Sequence, residues 1–269
     1  MVNIHPSAIV APSAVVGEGV QIGPYCTIGP NVVLGDNVRL ISHVVLDGHT
    51  SIGANTVIHP FASLGLAPQH LRYSGEPSRL IVGRNNTIRE HVTMHIGTEQ
   101  GRMETRVGDD CFFMVGSHVA HDCVIADHVI LTNNVALGGH VEIGEYAIIG
   151  GLSGVHQYVR IGKHAMIGGV TGVEKDVIPY ALAMGNRARL TGLNIVGLRR
   201  RGFSREDIRS LRTAYGLLFS QGGTMAERLI EVAELFKDHA GVMDIINFIR
   251  EDSTRPMCTP GIVNGNGSP

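Results

Sequence analysis

The stretch VGDDCFFMVGSHVAHDCVIADHVILTNNVALGGHVEIGEYAIIGGLSGVHQYVRIGKHAMIGGVTGV (residues 107–173) decides the fold. Every sixth residue in it is apolar: Val107, Phe113, Val119, Ile125, Leu131, Leu137, Ile143, Ile149, Val155, Ile161, Ile167 and Val173. Upstream the same spacing runs from Ile4 through Val10, Val16, Ile22, Ile28, Leu34, Leu40, Leu46, Ile52 and Ile58 to Leu64. It resumes in phase at Val82, Ile88 and Met94, then slips by one residue before Val107. All 26 slots are apolar in a chain that is 43% hydrophobic, so the period is a structural rule and not a chance of composition. In 13 of the 26 the next residue is Gly, and a Gly there is expected to relieve crowding at a corner.

A period of six matches neither the 3.6 of a helix nor the 2 of a long strand. It fits a short strand followed by a turn, with the aliphatic side chain inward. Three such units close a triangular coil, and stacked coils about 4.8 Å apart make a parallel β-helix with columns of aliphatics inside. Two segments interrupt the period, 65–81 (GLAPQHLRYSGEPSRLI) and 97–106 (GTEQGRMETR), and both read as loops expelled from the coil. The β-helix is expected over 1–180 and a helical domain over 181–255, with a mobile tail over 256–269. In the helical part Ser204 precedes Glu206 and Asp207, and Thr224-x-x-Glu227 is a capping box. Gly222-Gly223 separates two helices, and a third spans about 242–250. These helices are expected to cover an open end of the coil.

Composition narrows the classes. A chain of 269 residues makes one large or two small domains, and a net charge of −2 with 17% charged residues excludes a disordered or a generally basic nucleic-acid-binding chain. Four Cys lie far apart without a CxxC, which points to a reduced, cytoplasmic setting and away from a disulfide frame or a Cys-based zinc site. The start, MVNIHPSAIV, has no basic stretch leading into an apolar one, so no signal peptide is expected. No apolar run is long enough to insert stably in a membrane.

Fourteen His is the strongest chemical signal. With three sixes to a coil, His121, His140 and His156 fall near one edge on successive coils, and none occupies an inward slot. Asp122 follows His121, and His118 precedes it. Two readings follow. One is a metal site, which lacks a clear completing ligand; the other is a substrate groove with His as general base and a carboxylate to fix its tautomer. Gly138-Gly139 beside His140 offers either a backbone N–H for an oxyanion or a plain repeat corner. No nucleophile motif suggests a covalent intermediate. A second signal is the basic run Arg187, Arg189, Arg199, Arg200, Arg201, Arg205, Arg209 and Arg212, interrupted by only two acids, Glu206 and Asp207. It suits a phosphorylated ligand, an acidic protein or simply a solvated face, and RNA is a further reading that no RNA-binding motif accompanies.

HVAHDC (118–123), NNVALGGHV (133–141), AIIGG (147–151), VHQYVRIG (155–162), SGEPSRL (74–80) and LNIVGLRRRGFS (193–204) together resemble the acyl-[acyl-carrier-protein]–UDP-N-acetylglucosamine O-acyltransferase family of lipid A biosynthesis. The resemblance spans nearly the whole chain. It implies a left-handed parallel β-helix with a C-terminal α-helical domain, assembled as a cytoplasmic homotrimer with sites between neighbouring prisms. The implied partners are acyl carrier protein and UDP-N-acetylglucosamine, or a 3-amino variant of that sugar; no nucleic acid, cofactor or metal is implied. His121 would be the general base, Asp122 its orienting acid and Gly139 an oxyanion donor. His118, His140, His156 and Gln157 would line the sugar and acyl pocket. Gln69 and Arg72 in the first loop would reach substrate from the neighbouring subunit, and His70 on the same loop would bind substrate. Asn194, Arg200 and Arg201 would contact the nucleotide, and the Arg-rich region would dock the acidic carrier protein.

The family usually has Asp where this chain has His70, and often Glu where it has Val196. These departures bear on sugar recognition and on the nucleoside contact. Gly169 aligns with the family's acyl-chain ruler. A Gly there implies a long 3-hydroxyacyl donor, about C12–C14, since a groove gains roughly 0.8 kcal/mol per buried methylene. The competing classes are a zinc lyase on the same scaffold and a non-catalytic scaffold that binds a phosphorylated ligand or an acidic partner.

Overall fold

The computed structural model describes residues 1–261. Short strands recur every six residues and fall on three parallel faces. The first face, beginning at Asn3–Ile4, has 11 strands; the second, beginning at Ile9–Val10, has 9; the third, beginning at Val15–Val16, has 8. Together they form a left-handed triangular prism. Within uninterrupted coils the register joins residues eighteen apart, such as Ile4 to Ile22 and Leu131 to Ile149.

The two interruptions are visible in the register. Ile58 pairs with Ile88 and Ile88 with Phe113, so the first excursion adds twelve residues and the second seven. Twelve is two repeats and keeps the phase; seven is one repeat and one residue, which is the slip seen in the sequence. Both loops are shorter than expected, because Arg79–Val82 and Glu104–Val107 rejoin the third face and pair with each other.

The repeat positions fill the interior. Ile28, Leu46, Ile58, Phe113, Leu131 and Ile167 are all at most 1% exposed. Each contributes about 1.5–3 kcal/mol by leaving water. The first coil is the exception: Ile4 is 43% exposed, since nothing among the described residues stacks below it.

Glycine relieves crowding as expected, and at positions such as Gly23 it does so between coils and not through a left-handed backbone. The left-handed conformation at the corners falls three residues after the aliphatic, on Asn37, Asn55, Asp122, His140 and Tyr158 among others. The Gly directly after the aliphatic is needed for another reason: a Cβ on Gly23 would stand 1.7 Å from the carbonyl oxygen of Ile41 in the next coil.

The strands continue past the boundary expected at 180. Ala181–Met184 extends the first face, and Arg189–Leu193 folds back antiparallel on it. Helix α1 (Ile195–Arg200), not foreseen from the sequence, follows at once with Asn194 as its cap. Then come α2 (Arg205–Leu218), α3 (Met225–Leu235) and α4 (Ala240–Arg250). Both capping boxes are present, Ser204 with Asp207 and Thr224 with Glu227. Helix α4 packs toward the last coils, where Lys163 Nζ lies 2.8 Å from an Asp244 carboxylate oxygen.

The mobile tail expected over 256–269 requires correction for its first residues. Asp176 N–H donates to the Pro256 carbonyl at 3.0 Å and Cys258 N–H to the Asp176 carbonyl at 2.7 Å. Pro260 bridges Leu190, and Cys258 is fully buried. The exposed end of the sheet supplies unpaired backbone groups, and this segment satisfies them. The rest of that expectation, 262–269, lies outside the described residues.

Candidate active site

The corner between the second and third faces gathers the His-rich motif. Three successive coils place His121-Asp122, Gly139-His140 and His156-Gln157 there. His118 stands one step earlier, facing outward from the second face. The His121 and His140 rings meet edge to face at 5.1 Å between centroids, and His140 stacks on Tyr158 at 4.4 Å. His118 receives or gives a hydrogen bond at Thr93 Oγ1, 2.7 Å away, and packs edge-on against His95.

His121 and Asp122 are buried, and Nδ1 of the imidazole lies 2.8 Å from the carboxylate. Asp122 accepts three more hydrogen bonds: from Thr98 N–H at 3.1 Å, Thr98 Oγ1–H at 2.6 Å and Arg102 N–H at 2.8 Å. Burial alone would raise its pKa. The bonds from His121, Thr98 and Arg102 outweigh that and hold it down at about 2. The carboxylate is therefore an anion at neutral pH, and an imidazole facing it keeps its proton on Nδ1. Nε2 is left free to act as a base.

Three of these four bonds come from the second excursion, which the sequence marks only as a loop expelled from the coil. It wraps over the carboxylate so closely that a Cβ on Gly101 would lie within 2.4 Å of the Asp122 carboxyl group. Thr98, Gly101 and Arg102 were not singled out from the sequence. The slip of phase at 97–106 was the one signal that could have marked them. Thr105 belongs with them, since its Oγ1 accepts from Asp122 N–H at 2.8 Å.

Gly139 forms the wall under the His121 ring. A Cβ there would come within 2.5 Å of His121 Cε1 and 2.7 Å of Nε2. Its own N–H has no acceptor among the described residues. Burial lowers the pKa of His118 and His140, and it holds His95 down at about 4.

His70 packs its ring edge against His121 of the same chain, at 4.9 Å between centroids, and its Nδ1 is buried without a partner. The first excursion thus lies against its own chain's corner. Gln69 and Arg72 on that loop are exposed. His156 and Gln157 are exposed as well, and Arg255 bonds to both.

The nucleotide candidates lie elsewhere. Asn194, Val196, Arg200 and Arg201 line a cavity of about 440 Å³ with Ile148, Met166 and Leu182 of the first face. In a triangular prism that face is opposite the corner carrying His121, so one chain does not bring the two groups together. The Asn194 amide is engaged in the fold: its oxygen caps α1 through Gly197 N–H at 3.1 Å, and its NH₂ donates to the His164 carbonyl at 3.0 Å. Arg201 donates to the Tyr146 carbonyl at 2.9 Å and keeps a second, buried nitrogen without a partner. Arg199, Arg205, Arg209 and Arg212 line a separate groove of about 880 Å³ with Phe203 and Ile208. Gly169 is exposed at the corner between the first and second faces. Between it and His121 the outward positions of the second face are Ala136, Gly154 and Gly172, a strip without bulky side chains.

His121, Asp122 and His140 place ligand-capable atoms within 4.8 Å of one another. A metal there would compete with the donors already on Asp122, because an ionised carboxyl has about four acceptor positions and all are taken. The donor set fits a base–orienter pair better than a metal centre.

A β-helix built on sixes, with a buried His–Asp pair at a corner, defines a transferase of the hexapeptide-repeat class. The family described as bacterial transferase hexapeptide (six repeats) matches residues 1–36 and 104–139. The second domain of UDP-N-acetylglucosamine O-acyltransferases matches 176–258. An acyl-[acyl-carrier-protein]–UDP-N-acetylglucosamine O-acyltransferase of Caulobacter vibrioides is 53% identical over 210 residues, 78% of this chain and 80% of that protein. The crystal structure of the UDP-N-acetylglucosamine O-acyltransferase of Moraxella catarrhalis has a TM-score of 0.92 at 43% identity, covering 94% of this chain and 98% of the other. That of the Francisella novicida UDP-N-acetylglucosamine acyltransferase has a TM-score of 0.93 at 36% identity, covering 97% and 95%. The chain belongs to the acyl-[acyl-carrier-protein]–UDP-N-acetylglucosamine O-acyltransferase family. Among the described residues no helix is long and apolar enough to cross a membrane.

Proposed function

We propose that this protein transfers a 3-hydroxyacyl chain from acyl carrier protein to the 3-hydroxyl of UDP-N-acetylglucosamine, the first step of lipid A biosynthesis. It works in the cytoplasm as a homotrimer. The observation that carries the reading is the buried His121–Asp122 pair, 2.8 Å apart, with the Nε2 edge of the ring laid over Gly139. Nε2 takes the proton of the sugar hydroxyl as its oxygen attacks the thioester carbonyl. The carbonyl oxygen becomes an oxyanion, which the free Gly139 N–H faces. The intermediate collapses, the carbon–sulfur bond breaks, and the imidazolium returns its proton to the leaving thiolate. Asp122 stabilises the imidazolium without taking the proton itself.

The split of the candidate residues between two faces supports assembly of several copies, as in a homotrimer. The His corner of one prism and the Asn194–Arg200–Arg201 cavity of another would face each other across a cleft, with the pyrophosphate on the arginines. The acyl chain would run over Ala136, Gly154 and Gly172 toward Gly169, a path long enough for about C12–C14 with roughly 4.8 Å per strand crossed. The Arg-lined groove on α2 suits the acidic carrier protein. His70, beside His121, makes the 3-amino sugar a second acceptor to test.

The test is purified protein with UDP-N-acetylglucosamine, its 3-amino variant and a panel of 3-hydroxyacyl carrier proteins, with product read by mass. His121→Ala is expected to lose turnover by orders of magnitude while keeping its fold. Near wild-type turnover in that variant would remove His121 from the mechanism.

A further inference from the structure

We propose that Arg255, on the strap after α4, is a positioning residue that locks His156 as a hydrogen-bond donor toward the acceptor substrate. The proposal rests on the reading above, in which His156 and Gln157 border the sugar site. The strap is pinned on both sides of Arg255. Before it, Ser253 Oγ–H donates to Asp176 at 2.6 Å, and the same buried carboxylate holds Arg160 N–H and Nε–H at 2.8 Å each. After it, Cys258 is fully buried and donates its N–H to the Asp176 carbonyl. Between these anchors the Arg255 guanidinium reaches back to the active corner. Its Nε–H donates to the Gln157 carbonyl at 2.8 Å, and its Nη2 lies 2.5 Å from His156 Nδ1.

The chemistry of the pair fixes the tautomer. A guanidinium has five donors, no acceptor, and does not deprotonate in proteins. His156 Nδ1 must therefore present its lone pair to it. A longer contact, 3.3 Å from the same Nδ1 to the Gln157 carbonyl, would need a proton there, and the guanidinium takes precedence at the shorter distance. The ring proton then sits on Nε2, the atom pointing away from the strap. His156 differs in this from His121, whose carboxylate partner puts the proton on Nδ1. Two histidines on one corner are thus set in opposite tautomers, one accepting a proton and one donating a hydrogen bond. The residue that makes the difference comes from a segment about a hundred positions away in sequence.

The experiment has two readouts. The first is the nitrogen chemical shifts of His156 in ¹⁵N-histidine-labelled wild-type protein without substrate, assigned by loss of the signal in His156→Ala. A protonated Nε2 and a bare Nδ1 are expected, with tautomer mixing in Arg255→Ala; a protonated Nδ1 in the wild type overturns the proposal. The second is kinetic. Arg255→Ala is expected to raise the KM for the sugar nucleotide about tenfold, with kcat within about twofold, as befits one charge-assisted hydrogen bond acting through binding. His156→Ala should do the same, and the double variant should add nothing further. Independent, multiplying effects overturn the proposal. Failure of the wild-type enzyme to acylate any of the sugars would refute the functional reading instead, and the nitrogen shifts would still decide the role of Arg255.

Discussion

Replacing Gly139 by alanine places a methyl group where the His121 ring now lies. The added Cβ would stand 2.5 Å from Cε1, 2.7 Å from Nε2 and 3.1 Å from Nδ1. Carbon atoms in contact prefer about 3.5–4.0 Å, so the ring must retreat by about 1 Å. It has little room: Asp122 holds Nδ1 on one side, and the rings of His70 and His140 stand at 4.9 and 5.1 Å. The backbone at 139 is not left-handed, so alanine is tolerated there by the chain itself. The expected cost therefore falls on chemistry and not on folding. A displacement of about 1 Å from the reactive geometry costs about a hundredfold in rate. Steady-state kinetics with acyl carrier protein and UDP-N-acetylglucosamine should show that loss in kcat, with KM for the sugar nucleotide little changed. A thermal melt should show the cooperative unfolding of the wild type. Turnover within about threefold of wild type would mean that the position of the ring over Gly139 is not the reactive one.

Acid should unfold the protein earlier than its carboxylates alone would require. Burial holds His95 and His164 down at about 4, so above about 6.5 native and unfolded chains are both neutral at these sites; as pH falls toward 4 only the unfolded chain takes up the protons. Stability should fall by about 1.4 kcal/mol per pH unit for each proton bound on unfolding, and a urea midpoint that stays flat from pH 7 to 5 would contradict this. The Asp122 contribution has the opposite origin, a depressed carboxylate, and should be lost only between about pH 4 and 2. Thr98→Val removes the hydroxyl 2.6 Å from Asp122 without changing side-chain shape. The expected loss is about 1.5–3 kcal/mol of stability in chemical denaturation, and an unchanged midpoint would show that the second excursion does not support the carboxylate. Gly169→Met should shift donor preference to shorter acyl chains, read from product masses. Unchanged preference would remove Gly169 from the groove.

The fold was legible because its cause is local and repeated. Each six residues bury one aliphatic, and the period survives even the twelve-residue excursion after Leu66. The capping boxes at Ser204 and Thr224 are equally local, a hydroxyl and a carboxylate three residues apart. Helix α1 was not legible, because its six residues are held by an Asn194 cap and by packing and carry no period of their own. The strand pair at Ala181–Met184 and Arg189–Leu193 was missed because it leaves the sixfold rhythm. The strap over 256–260 was missed because turn formers and a lone Cys give no sign of the sheet end that they complete.

By itself the sequence determined the prism, its eighteen-residue coil, and the alignment of His121, His140 and His156 on one corner, since burial of every sixth side chain leaves no other register. Only the tertiary structure decided which groups act on those histidines. Thr98 and Arg102 reach Asp122, Arg255 reaches His156, and Asn194, Arg200 and Arg201 are turned to the opposite face. These contacts join residues with no common period, brought together by where loops close and how the chain end docks, and a repeat carries no record of either.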